Sequence, residues 1–127
     1  MSNDYISRFI LNIFQSLSDQ DSSMIENLYD SNCNFHFHFS KGFSFSSPKE
    51  IIKFLKEYKK MNFYPVNFEI QQIMAPDGQW FQIVVFGTFE QQGEGSEDPI
   101  MASFHSSIHC FYYNEKLFVA YQTISIF

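Results

Sequence analysis

Basic side chains are scarce in this chain. Of 127 residues, 8 are Lys or Arg against 14 Asp or Glu, which leaves a net charge of -6 and a pI near 5.0. Apart from Lys49 to Lys60 the cations form no stripe. Binding to a polyanion needs a basic footprint, so nucleic acid and anionic membrane are not expected partners. Cysteine is nearly absent too. Cys33 and Cys110 each sit in strand-like sequence with no CxxC spacing, which excludes a disulfide framework and reads as two buried thiols in a reducing compartment. No apolar run approaches a membrane span, and Met1 to Asp4 is too polar to open a signal peptide. These features place the chain in cytosol or nucleus with no membrane insertion. There is no internal repeat and no low-complexity linker, and the length suits one domain over residues 1–127.

Aromatic residues are what the chain has in excess. Seventeen Phe, 7 Tyr and 1 Trp make up 20% of it. A fully buried Phe contributes roughly 1.5–3 kcal/mol, and a domain this small has aromatic surface left over once its core is full. Contiguous leftover surface implies an interface. The competing reading is that Phe merely replaces Leu as the default core residue, because leucine is scarce here.

Periodicity divides the chain into elements. Ile6, Phe9, Ile10, Ile13, Phe14 and Leu17 recur at three and four, predicting a helix from about Asp4 to Leu17. Asp21 suits the N-cap of a short second helix presenting Met24, Ile25, Leu28 and Tyr29. Asn34 to Phe39 alternates strictly, with Phe35, Phe37 and Phe39 on one face and His36 and His38 on the other, so it reads as a strand. Ser47-Pro48-Lys49-Glu50 is a capping box with Pro at the first helical position, opening a third helix whose buried side holds Ile51, Ile52, Phe54, Leu55 and Tyr58. From Tyr64 the period becomes two. Strands follow at Trp80 to Glu90, after a turn at Pro76-Asp77-Gly78, at Ile100 to Tyr112, and at Leu117 to Phe127 after Asn114-Glu115. Helix, helix, strand, helix and then long antiparallel strands is an α+β order, with helices on one face of a curved sheet.

Chemistry-bearing patterns are few. His36-x-His38 and His105 with His109 each share a face, a geometry that fits a metal only if the two strands are neighbours with their faces aligned. No carboxylate or thiol completes a set there, so no metal and no cofactor are expected. Asp30, Glu69 and His36 are the residues able to serve as a general base in the interior of such a sheet, each without a recognisable partner. Nucleophile elbow, phosphate loop and zinc-protease helix are all missing.

The segment Glu90 to His105 is a glycine-broken acidic loop running through Pro99 into an alternating strand. Its Glu97-Asp98-Pro99-Ile100-Met101, followed by Phe104-His105, resembles the corresponding loop and strand of the nuclear transport factor 2 family. Element order extends the resemblance over nearly the whole chain. The resemblance implies a cone-shaped α+β fold, three helices packed on a curved, mostly antiparallel sheet. It also implies a non-enzymatic carrier that binds GDP-bound Ran and Phe-Gly repeat nucleoporins at the nuclear pore, paired as a homodimer or with an export factor. On that basis Glu97 and Asp98 meet Ran, with Phe104 beside them. His36 and Phe37 occupy the positions where the family places a Trp and a Glu that touch the repeats and Ran. The small subunit of an mRNA-export heterodimer and a small-molecule isomerase or dehydratase using the cone are the alternatives within the same fold.

Overall fold

The structure is a computed structural model that describes residues 2–76, 78–95 and 97–127, with the side chain of Met74 outside the description. Asp77, the centre of one expected turn, therefore lies outside the described residues. Three helices, α1 (Asn3–Asp19), α2 (Ser22–Leu28) and α3 (Pro48–Glu57), accompany six strands: β1 (Tyr29–Phe39), β2 (Lys41–Phe45), β3 (Met61–Ala75), β4 (Gly78–Gln91), β5 (Ile100–Tyr113) and β6 (Lys116–Ile126). Among the described residues no helix is long and apolar enough to cross a membrane.

Local chemistry accounts for the helix ends. Ser2 caps α1 by accepting from the Tyr5 N–H, and Gln20 closes it in the left-handed conformation with its N–H on the Leu17 carbonyl. Asp21 caps α2 through the Met24 N–H. At α3 the Ser47 hydroxyl accepts from the Glu50 N–H at 3.3 Å, while the Glu50 carboxylate accepts from the Ser46 N–H at 2.7 Å, close to the expected capping box.

The strands form one sheet in the order β2-β1-β6-β5-β4-β3, antiparallel throughout except where β1 runs parallel to β6. Strand β2, absent from the sequence reading, folds back on β1 and pairs Phe43 with Phe37 and Phe45 with Phe35. Strand β1 begins directly after α2, so the polar stretch Asp30-Ser31-Asn32 is an irregularity within it, between Tyr29 and Asn34, and not a break before it. Asn114 and Glu115, both with positive φ, make the tight β5–β6 turn.

Inward-facing residues close on the helices. Phe81, Ile83, Val85 and Phe89 of β4, Phe104 and Ile108 of β5, and Phe35 and Phe37 of β1 are buried with the apolar stripe of α1. Phe14 of α1 lies 5.1 Å from Phe104 and 6.1 Å from Phe63, centroid to centroid. Phe54 of α3 and Tyr58, which caps that helix, cover Phe37, Phe43 and Phe45. Eight of the 17 phenylalanines are buried here, so Phe does replace Leu in the core; Phe86, Phe111 and Phe118 remain on the opposite side of the sheet.

Candidate functional site

Alternation places the other half of the strand side chains on the outer face, away from all three helices. Register arranges them in rows across the sheet. One row runs His36 of β1, Thr123 of β6, Ser107 of β5, Val84 of β4 and Glu69 of β3; the next runs His38, Ser125, His105, Phe86 and Asn67. A third joins Asn34, Tyr121, His109, Gln82 and Gln71. At the end near the β5–β6 turn, Phe118, Phe111, Trp80 and Ile73 form the last row. None of these side chains is buried. The Trp80 and Phe111 rings lie 5.3 Å apart, Phe111 stacks on Phe118 at 5.5 Å, and Phe86 meets His105 at 5.0 Å. Tyr121 stands between His36 at 5.6 Å and His109 at 5.4 Å. The result is a Ser- and Thr-lined centre with imidazoles around it and an aromatic ledge at one end.

All four histidines therefore share the outer face, but β6 separates β1 from β5. The two histidine pairs are not on adjacent strands, and among the described residues no three His, Cys, Asp or Glu side chains stand close enough to hold a metal ion. His36 shares a 2.8 Å hydrogen bond with the Ser44 hydroxyl.

Two of the residues expected to touch a partner are corrected by the fold. Phe104 is 0% exposed and packs between Phe14 and Phe63, and Phe37 is 1% exposed beneath α3. Both point inward because their neighbours His105 and His36 point outward. His36, Glu97 and Asp98 are exposed. The acidic loop is tied down at its base: the Gln92 N–H donates to the Lys60 carbonyl, Lys59 bridges Glu94 at 2.8 Å, and the Glu97 N–H donates to the Glu94 carbonyl. The Lys59 ammonium holds the Glu94 carboxyl below its usual range through a hydrogen bond and its charge. Gly93 is required there, since a Cβ would lie 2.6 Å from the Glu97 carbonyl oxygen. Beside the loop, Lys60, Asn62, Glu90, Gln92 and Glu97 bound a polar cleft of about 360 Å³.

A second cleft, of about 330 Å³, lies between α1, α2 and the start of β6. Arg8, the sole arginine, and Lys116 flank its Phe9, Met24 and Leu28 wall. Lys116 donates to the Asn27 side chain and lies 4.8 Å over the Phe118 ring. Sequence reading missed this cleft, which exists only once α2 turns back on α1.

The interior of the cone holds one linked set of polar groups. Tyr29 donates its hydroxyl proton to the Gln122 side-chain oxygen, and Gln122 donates in turn to the Ser106 hydroxyl at 3.2 Å, all three being buried. Burial, and then proximity to Cys33, raise the Tyr29 phenol well above its ordinary range, so it stays a proton donor. Of the general-base candidates, Asp30 accepts from the Asn32 N–H at 3.2 Å in its own turn, and Glu69 and His36 lie on the outer face. Glu69 and His36 face away from the interior, while Asp30 is half-buried near Cys33.

No protein-family model matches the chain, and no curated protein matches it. Solved structures do match. A nuclear transport factor 2-like protein of unknown function from Pseudomonas putida KT2440 is similar over 96% of this chain and 84% of its own, with 12% identity and a TM-score of 0.72. The yeast UBP3-associated protein BRE5 is similar over 96% and 93%, with 12% identity and a TM-score of 0.75. Hexachlorocyclohexane dehydrochlorinase LinA-type3 from Novosphingobium barchaimii LL02 is similar over 95% and 83%, with 5% identity and a TM-score of 0.78. That dehydrochlorinase corrects the expectation of a non-enzymatic chain: a protein of this fold carries catalysis, so the resemblance in fold is no argument against an enzyme. Identities this low carry fold and nothing finer. The chain has the nuclear transport factor 2-like fold, three helices on the concave side of a curved, mixed six-stranded sheet.

Proposed function

We propose that this chain is a self-pairing protein-docking domain, in which two copies join through the outer sheet face and offer their helical sides and loops to partner proteins. The observation that carries this reading is the outer face itself. A six-stranded sheet leaves one whole side uncovered, and that side bears a Trp80–Phe111–Phe118 ledge and Phe86, with Ser107, Thr123 and Ser125 between them. Apolar surface of this extent is stabilised by being covered, and a second identical face supplies both aromatic area and hydrogen-bonding hydroxyls. The Arg8 and Lys116 cleft then suits an acidic partner segment with an apolar anchor, because two cations flank an apolar wall in a protein of net charge -6. BRE5, a protein of the same fold, is named for its association with another protein, which supports the reading at the level of fold.

The carrier of GDP-bound Ran is a special case of this reading, supported by the exposed Glu97 and Asp98 and weakened by the burial of Phe37 and Phe104. Sedimentation velocity at micromolar concentration tests both. A species of twice 15.0 kDa is the expected result, and a stable monomer would remove the self-pairing reading. GDP-loaded Ran added to the same cell shifts the boundary if the carrier case holds, and leaves it unmoved if it does not.

Catalysis in the cone is the second reading, favoured by the buried Tyr29–Gln122–Ser106 chain in a fold that houses a dehydrochlorinase. A substrate there would be small and largely apolar, displacing inner phenylalanines to reach the Tyr29 hydroxyl. Its test is the NMR spectrum of the interior methyl and ring protons titrated with small halogenated and carbonyl compounds. Saturable shifts that Tyr29→Phe abolishes would support it; an unmoved interior would discard it.

A further inference from the structure

All four histidines of the chain stand on the outer face, which no element covers among the described residues. Strand β1 contributes His36 and His38, and β5 contributes His105 and His109, with Tyr121 of β6 between His36 and His109. We propose that acidification separates the paired chains by charging these imidazoles, so that self-association is gated by pH. The inference rests on the self-pairing reading and adds its regulation.

Uncharged side chains surround the four imidazoles. On β6 their neighbours are Tyr121, Thr123 and Ser125, on β5 Ser107, and on β4 Gln82, Val84 and Phe86, none of which is a carboxylate. On β2 the facing residues are Ser44 and Gly42. The charged groups of this face lie at its margins. Glu69 is on the edge strand β3, roughly 19 Å from His36 across four strand spacings. Glu90 lies four residues along β4 from Phe86, the partner of His105, and Lys116 lies by the β5–β6 turn.

Histidine is the side chain whose charge ordinarily changes between pH 5 and 8. In the neutral form each imidazole is both donor and acceptor and suits a face of hydroxyls, one of which, Ser44, shares a hydrogen bond with His36. Stacking two such faces brings eight imidazoles into one interface, twice the four of each chain. Protonation then adds like charges to an interface whose central rows hold no carboxylate and which lies partly out of water, where juxtaposed like charges oppose association strongly. The fold of each chain is spared, because no histidine contributes to the buried core.

Sedimentation of the full chain at about pH 7.5 and about pH 5.5, with far-UV circular dichroism at both, decides the matter. A dimer at the higher pH and a folded monomer at the lower is the expected pair of results, with dissociation favoured by about a hundredfold or more. The variant His36→Gln, His38→Gln, His105→Gln, His109→Gln keeps the hydrogen-bonding character and is expected to lose the pH dependence, its monomer–dimer balance being the same at both values. A wild-type dimer at both pH values overturns the gating and leaves the self-pairing reading intact. A monomer at the higher pH overturns the self-pairing reading, and the gating with it. Dissociation of the four-glutamine variant at about pH 5.5, in parallel with the wild type, would assign the effect to carboxylates and overturn the role of the histidines.

Discussion

Burial at the scale of single residues sets the reactivity of the two thiols. Cys33 is pushed up to about 11 by burial and then by the nearby Asp30 carboxylate, and Cys110 is pushed up to about 12 by burial. Both are free and buried. A thiol reagent at mildly alkaline pH is expected to leave them untouched in the folded chain and to label both in urea; rapid labelling without denaturant would contradict their inertness. A thiol that holds its proton more tightly in the fold contributes fully below the unfolded range near about 8.5, and that contribution declines as pH rises through the folded values. A stability profile flat from neutrality to strong alkali would count against it. Side-chain direction was legible at this scale where alternation was strict. His36 and His38 on one face and Phe35, Phe37 and Phe39 on the other is what the strand shows. Phe37 and Phe104 match interface positions by family resemblance, but parity turns both inward, since one follows and the other precedes an outward histidine.

The element with the least tolerance is the β3–β4 pair at its bulge between Pro65 and Asn67. Opposite it stands Gly87, where an added Cβ would lie 2.2 Å from the Tyr64 carbonyl oxygen and 2.5 Å from the Phe104 ring. Neither obstacle is a flexible tip, so Gly87→Ala is expected to cost about 3 kcal/mol or more, read from the urea midpoint. Gly42→Ala, whose nearest neighbour is 3.8 Å away on the His38 ring, is the control and is expected to stay within about 0.5 kcal/mol of wild type. Equal effects at both glycines would refute the steric account. The helices and the four long strands were legible in the sequence because caps and periodicity are local. Strand β2 was not read, since Lys41–Phe45 is five residues long, contains Gly42 and alternates only through Phe43, Ser44 and Phe45. Its place is decided by β1 and by the α3 aromatics that cover it.

For the whole molecule, the question of which surface stays open depends on strand order, and no local pattern encodes that. The sequence showed two histidine pairs, each on one face of its strand. Only the order β2-β1-β6-β5-β4-β3 reveals that all four share a face and that β6 holds the two pairs apart. The same order puts Ser107 and Thr123 side by side at the middle of that face. Ser107→Glu with Thr123→Glu is expected to leave circular dichroism unchanged and to yield monomer at all micromolar concentrations, since buried carboxylates across a twofold axis repel. A dimer retained in that variant would move the pairing surface elsewhere. One feature of this order bears on how the chain comes into being. The hairpin of β1 and β2 joins the rest of the sheet through β6 alone, by its parallel pairing, and β6 is the last of the six strands to leave the ribosome. Until then the nascent hairpin has an unfilled edge, with Phe35 and Phe37 awaiting Gln122 and Ile124. That long wait makes completion of the sheet a late, slow event in biosynthesis, and the unfinished hairpin is the part a chaperone has most reason to hold.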